Sequence, residues 1–409
     1  MNSMILRGMS VLGLAVFLGL AWLMSERRRD ICWHTVRTGV LLQVLLGIIV
    51  LKTSVGQRLF VLAQTGFVFV INAHKAGAEF VFGDLARRGP DAFLFFVTVP
   101  CTLIFFSSLM AMLYHWRIMP RVVAAMAWVM QRVMRTGGRE SLVAAANVFL
   151  GMTEAPLFVR PYLAVMSRSE LMALMVTGLA TIAGTVMAVY IGFGVSAGHL
   201  LTASVMSAPA ALVIAKMLIP AQPADILDEI PRDLAVQERA HNTFDAIMVG
   251  ARDGLFLALN VCAMLIAMVS LVALVNALLG AGTSWCGWPP LTLQKLFGYV
   301  GWPMALLMGI EPRDAQRVGE LLSTKVFLTE FMAYRALAAQ AATLAPRTVA
   351  IATYACCGFA NFGSVAILLG GLSALAPTRR ADVAGMALKA LAGGILASFC
   401  TAAIAGCLL

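Results

Sequence analysis

Apolar runs long enough to cross a lipid bilayer recur from one end of this chain to the other, and they constrain its fold more than any other feature. The long ones cover residues 4–24, 93–114, 171–193, 200–219, 255–279 and 384–408, with a shorter one at 39–51. Crossing roughly 30 Å of hydrocarbon takes about 20 mainly apolar residues in a helix. Hydrophobic residues make up 61% of the chain and charged ones 12%, far from the balance of a water-soluble globule. The expected class is an all-α polytopic membrane protein.

The charges suggest an orientation. The cluster Arg27-Arg28-Arg29 follows the first apolar run, and no small-residue cleavage site is present, so the run reads as a retained helix and not a secretory signal. The positive-inside rule puts that cluster in the cytoplasm and the N-terminus on the far side. It carries Arg117, Arg121, Arg132, Arg135, Arg139, Arg168 and the pair Arg379-Arg380 to the same side, and leaves Lys75, Arg87 and Arg88 outside. The net charge of +10 then reflects loop topology and anionic headgroups, with no role for nucleic acid. The eight cysteines show no CxxC or His-partnered zinc spacing.

One stretch, Pro220 to Asp245, looks soluble. It holds Asp225, Asp228, Glu229, Asp233, Glu238 and Asp245 with three prolines, and reads as a cytoplasmic linker. A shared pattern flanks it. Before the linker, two short apolar pieces meet at Gly151-Met152-Thr153-Glu154-Ala155-Pro156, and a long segment follows that is broken at residues 180–185. After one intact helix beyond the linker, short pieces meet at Thr329-Glu330, and a second long segment is broken at residues 357–364. Each unit closes with a further apolar helix. Two broken units in corresponding positions mark a transporter with an internal repeat. An odd number of crossings between the two hairpins inverts the second unit relative to the first.

A carboxylate at membrane depth is costly unless it lines a wet cavity, so Glu154 and Glu330 are candidate functional residues. Ion pairs with Arg160 and Lys325 are the structural alternative. Irregular backbone at such depth is tolerated only where it is buried in protein or faces water, and there its N–H and C=O groups become ligands.

The runs NVFLGMTEAPLFVRPY (147–162), KVFLTEFMAY (325–334) and GFANFGS (358–364) resemble the concentrative nucleoside transporters, and the resemblance covers nearly the whole chain. It implies a homotrimer in a bacterial inner membrane, each protomer with eight transmembrane helices and two re-entrant hairpins. Residues 1–139 would be scaffold and 140–220 the first transport repeat. The linker would cover 221–245, further scaffold 246–300, and the second, inverted repeat 301–409. The first hairpin would present Met152, Thr153 and Glu154 to a nucleobase, with Val186 nearby. Glu330, Asn361 and Ser364 would hold ribose hydroxyls, and Phe359 would pack on the base. A sodium site would use side chains of Asn147, Thr153 and Thr181 and carbonyls of Leu150 and Ile182, and no other cofactor is implied.

Two positions depart from the family pattern. Met152 replaces a usual Gln, which removes an amide able to bond a base edge, and Thr329 replaces a usual Asn. Ribose recognition is therefore better preserved than base recognition. A transporter of another polar solute stays open, as does the choice between sodium and proton. An intramembrane enzyme using the two Glu residues is the third reading, against which stand the absence of an HExxH motif and of any Ser/His constellation.

Overall fold

The computed structural model describes residues 3–87, 95–222, 240–285, 287, 289 and 291–409. Arg88 and most of the acidic linker, residues 223–239, lie outside the described residues. Among those described, regular structure is entirely helical.

Five helices precede the first unit: α1 (Ser3–Leu23), α2 (Trp33–Lys52), α3 (Ser54–Phe82), α4 (Phe95–His115) and α5 (Ile118–Met134). The first unit comprises α6 (Gly138–Ala146), a 3-10 helix (Ala155–Tyr162), α7 (Arg168–Ala180), α8 (Gly184–Gly192) and α9 (Ala197–Leu218). Then come α10 (Thr243–Trp285) and α11 (Leu293–Leu307). The second unit repeats the order with α12 (Pro312–Phe327), α13 (Glu330–Gln340), α14 (Pro346–Cys356), α15 (Phe362–Leu375) and α16 (Arg380–Leu408). Among the described residues, eight helical segments, counting α7–α8 as one, are long and apolar enough to span a membrane. The pieces α14 and α15 are each too short to be among them. Between the hairpins lie three such segments, α7–α8, α9 and α10, the odd number that inverts the repeat.

Several boundaries differ from the sequence reading. The short run 39–51 is the core of a full span, Trp33–Lys52, whose polar Thr35 and Gln43 are buried, with Gln43 Nε2 donating to Gly39 O at 3.3 Å. Ser54–Phe82 is an additional candidate span. The linker ends earlier than residue 245, because Asn242 accepts the Asp245 N–H at 2.9 Å and starts α10 at Thr243. The division at 300/301 falls inside α11. There α11 and α12 cross so closely that a Cβ on Gly301 would lie 2.6 Å from Gly319 O. Helices α1 and α2 pack on α16 and α9, the closing helices of the two units, while α4 pairs with α10.

Three of the predicted cytoplasmic basic residues, Arg27, Arg168 and Arg379, meet at one end of the molecule. Arg168 reaches Glu26 at 3.3 Å, beside Arg27, and Arg379 donates to Met166 O. Lys389 hydrogen-bonds Glu26 at 2.8 Å and so holds that carboxyl below its ordinary range. Deeper at the same end, the buried ion pair of Lys216 and Glu140 joins α9 to α6, and Lys216 Nζ also donates to Ser169 Oγ at 2.9 Å. Glu140 accepts the Gly137 N–H at 2.8 Å as part of the cap of α6.

At the centre, the two helix breaks satisfy one another. In an unbroken helix the Gly184 N–H would bond Ala180 O. It donates instead to Phe149 O of the first hairpin tip at 2.8 Å, and Thr181 O accepts from Phe359 N of the second break at 3.2 Å. Gly358, at φ +147°, lets the second break approach this closely: a Cβ there would sit 2.9 Å from the carbonyl oxygens of Leu179 and Ala180. Both the backbone angle and the space demand glycine. Gly358→Ala should therefore cost about 1–3 kcal/mol, read as a lowered midpoint of thermal unfolding in detergent. Gly370→Ala, which meets nothing within 4 Å, should not lower it; equal midpoints for the two variants would refute the contact.

Candidate functional site

Each hairpin tip lies against a helix break, and the residues singled out from the sequence cluster there. In the second unit, Leu328 leaves the helical region (φ −101°, ψ −98°) and Thr329 caps α13, its Oγ1 accepting from Met332 N at 3.3 Å. Glu330 is thereby the first residue of α13, where the positive end of the helix favours a carboxylate. Only 5% of Glu330 is exposed. Its Oε2 accepts from Asn361 Nδ2 and its Oε1 from the Tyr190 hydroxyl, both at 2.8 Å.

Asn361 has a second task. Fully buried at the N-cap of α15, it accepts the Ser364 N–H through Oδ1 at 2.7 Å. The same side chain thus shapes the second break and orients Glu330. Lys325 does not pair with Glu330. Its ammonium donates to Ala355 O at 2.9 Å and to Ser398 Oγ at 3.2 Å, so the structural ion pair considered for Glu330 is not formed.

The first tip is built differently. Residues 147–154 form successive turns, with Leu150 N bonding Ala146 O at 2.8 Å and Glu154 N bonding Gly151 O at 3.0 Å. Ser204 of α9 donates to Val148 O at 3.0 Å and steadies the loop. Met152 is buried against α7, where a Cβ on Gly178 would meet its Cβ at 2.9 Å, with Leu368 of α15 just beyond. Thr153 is exposed and approaches Gly371, two turns beyond Ser364 on α15. Glu154 is half-buried and Arg160 exposed. Helix α15 therefore touches the second tip through Asn361 and the first through Leu368 and Gly371. Val186 is buried one turn before Tyr190 on α8, and Phe359 is half-buried in the second break.

Two of the residues read as cation ligands, Asn147 and Thr181, share Thr177 as a neighbour. Asn147 Nδ2 donates to Thr177 Oγ1 at 3.2 Å, and Thr181 Oγ1 donates to Thr177 O at 2.8 Å. Asn147 Oδ1 is buried and has no hydrogen-bond partner. A buried acceptor left unpaired costs free energy, and a cation removes that cost. The oxygens of Asn147, Thr153 and Thr181 are neutral and hard, a donor set that fits an alkali cation and needs no carboxylate.

Two participants were not anticipated. Tyr190 sat inside an apolar run, where a tyrosine reads as packing; its place one helical turn beyond Val186 was the available signal. Its ring lies 4.5 Å from that of Tyr334, whose hydroxyl bonds Thr353 O at 2.8 Å. Thr177, four residues before Thr181, was hidden in the same run.

Two inverted units, each bringing a re-entrant tip and a helix break to one centre, define a membrane transporter of the inverted-repeat class. It is a transporter and not an enzyme. The chain belongs to the concentrative nucleoside transporter family. Its residues 12–85 match the family model for the Na+ dependent nucleoside transporter N-terminus, residues 96–197 a nucleoside-recognition gate, and residues 199–406 the Na+ dependent nucleoside transporter C-terminus. It is 42% identical to an uncharacterized transporter of Haemophilus influenzae, over 97% of this chain and 96% of the relative. It is 38% identical to the nucleoside permease NupC of Helicobacter pylori, over 97% and 96%. Among solved structures, CNTnw in an inward-facing substrate-bound state superposes with a TM-score of 0.93 at 38% identity, covering 98% of each chain. An outward-facing form of CNTnw gives 0.91 at 38% identity, covering 98% of this chain and 97% of that one.

Tyr190→Phe keeps the stacked ring and removes one donor to Glu330. Hydrogen bonds to charged groups are worth about 1.5–3 kcal/mol, so the variant should show a lowered midpoint of thermal unfolding in detergent and, with Glu330 freed to reorient, a raised KM for the transported solute. An unchanged KM would show that Tyr190 only packs.

Proposed function

We propose that this protein imports nucleosides with sodium across a bacterial inner membrane, working as a homotrimer by alternating access. The observation that carries this reading is the orphaned Asn147 Oδ1 in a loop that also holds Thr153. Thr153 belongs to both the cation set and the solute set, so filling the first orders the second. A sodium ion bridging Asn147, Thr153, Thr181 and the carbonyls of Leu150 and Ile182 would fix the first tip against the break of α7–α8. Met152, Thr153 and Glu154, with Val186 and Phe359, would then face the nucleobase. Glu330 accepts from ribose hydroxyls, with Asn361 and Ser364 beside it. An ionised carboxylate has lone pairs beyond the two that Tyr190 and Asn361 use.

The two inverted units are the body that moves. The solved states of CNTnw, inward-facing, outward-facing and intermediate, lend support, since the last also superposes on this chain with a TM-score of 0.89. One cation entering with a neutral solute gains about 2.3 kcal/mol per 100 mV of membrane potential, enough for roughly 50-fold accumulation.

A second reading rests on Met152. Its thioether is a weak acceptor and no donor, so the base edge loses a partner and another polar solute on the same scaffold gains ground. Competition against labelled uridine by purine nucleosides, pyrimidine nucleosides and free sugars separates the two: nucleosides of both base classes should compete, and sugars alone competing would favour the second reading.

Labelled uridine uptake into proteoliposomes, with sodium and pH gradients imposed separately, tests the coupling. A sodium gradient should drive accumulation, and Glu330→Gln should reduce it about 100-fold, the cost of weakening charge-assisted bonds to two hydroxyls. Accumulation driven by the pH gradient alone would move the coupling to protons.

A further inference from the structure

Both units contain the same electrostatic problem. In each, the first helix of the hairpin and the first half of the broken helix end near one another. These are α6 at Ala146 with α7 at Ala180, and α12 at Phe327 with α14 at Cys356. A helix C-terminus carries unsatisfied carbonyls and roughly half a negative charge, so two meeting inside a protein attract a cation.

The two units answer differently. At the first junction the groups are neutral, and Asn147 Oδ1 is left without a partner. At the second stands Lys325, in the last turn of α12 and 1% exposed. Its ammonium donates to Ala355 O in the last turn of α14 at 2.9 Å and to Ser398 Oγ of α16 at 3.2 Å. Ser398 Oγ lies 3.1 Å from Cys357 O, so lysine and serine together collect the carbonyls where α14 stops. Among the described residues no ion pair includes Lys325. A buried ammonium with carbonyl and hydroxyl partners and no paired carboxylate is coordinated as a free cation would be. The closing helix helps at both junctions, with Ser204 of α9 bonding Val148 O at the first.

We propose that the Lys325 ammonium is a tethered cation, permanently filling in the second unit the place that the mobile coupling cation fills in the first. The proposal rests on the cation reading given above. It explains an asymmetry between the tips: the second, carrying Glu330, is held before any ion arrives, whereas the first waits for one. It also confines mobile-cation binding to the first unit.

Lys325→Ala removes the equivalent of propylammonium and so allows chemical rescue. In proteoliposomes with a sodium gradient, Lys325→Ala should lose at least about 10-fold in uridine uptake, and propylammonium should restore at least about 3-fold of it, while 1-propanol should not. Restoration by 1-propanol as good as by propylammonium would reduce Lys325 to a space-filler and overturn the proposal. If Lys325→Ala fails to insert, the pair Lys325→Arg and Lys325→Met decides: the charged variant should retain sodium-driven uptake and the neutral one lose it. Full activity in Lys325→Met would overturn the inference. That failure is distinct from failure of the cation reading, which would show as sodium-insensitive uptake by the unaltered protein.

Discussion

A peptide group that leaves a helix inside a bilayer finds no water, and its N–H and C=O must be satisfied by protein or by ligand. This chain leaves its helices four times at depth, at two hairpin tips and two breaks. Phe359 N bonds Thr181 O across the two units, and Gly184 N bonds Phe149 O within the first, so three of the four interruptions are tied by backbone to a neighbouring one. The second tip is tied to the second break through the side chains of Glu330 and Asn361. The two breaks are therefore interdependent, and the units meet where they lie.

Helix polarity then sorts the chemistry. Ends with free N–H groups hold carboxylates: Glu330 opens α13, and Glu154 precedes the 3-10 helix of the first hairpin. Ends with free carbonyls gather cation-seeking oxygens or, in the second unit, an ammonium. The carboxylates and the cation-seeking groups thus lie at opposite kinds of helix end, on either side of a hairpin tip. Thr153, one residue before Glu154 and six after Asn147, lies on the chain between the two kinds.

Hydropathy and interruptions made much of this legible. Runs of apolar residues gave most of the spans, and the Thr-Glu pairs with their breaks gave the inverted units. What escaped did so for physical reasons. Arg58 and Lys75 disguised the additional span Ser54–Phe82, and α10 extends over 43 residues, about 65 Å, well past its most apolar part. The crossing of α11 on α12 depends on Gly301 meeting Gly319, two glycines that belong to no motif. Tyr190 and Lys325 lie 140 residues and five residues from Glu330, yet the remote one bonds it and the near one turns away. Sequence proximity suggested the wrong partner because a hairpin tip reverses direction between the two.

The seat of Met152 has a further consequence. Its Cβ is pressed against α7 at Gly178, so the main chain of the first tip is located by contacts that do not involve the rest of the side chain. Exchanging the side chain beyond that atom leaves the loop in register with Asn147 and Thr181. Descent with modification can therefore vary position 152 without moving the backbone that carries its neighbours.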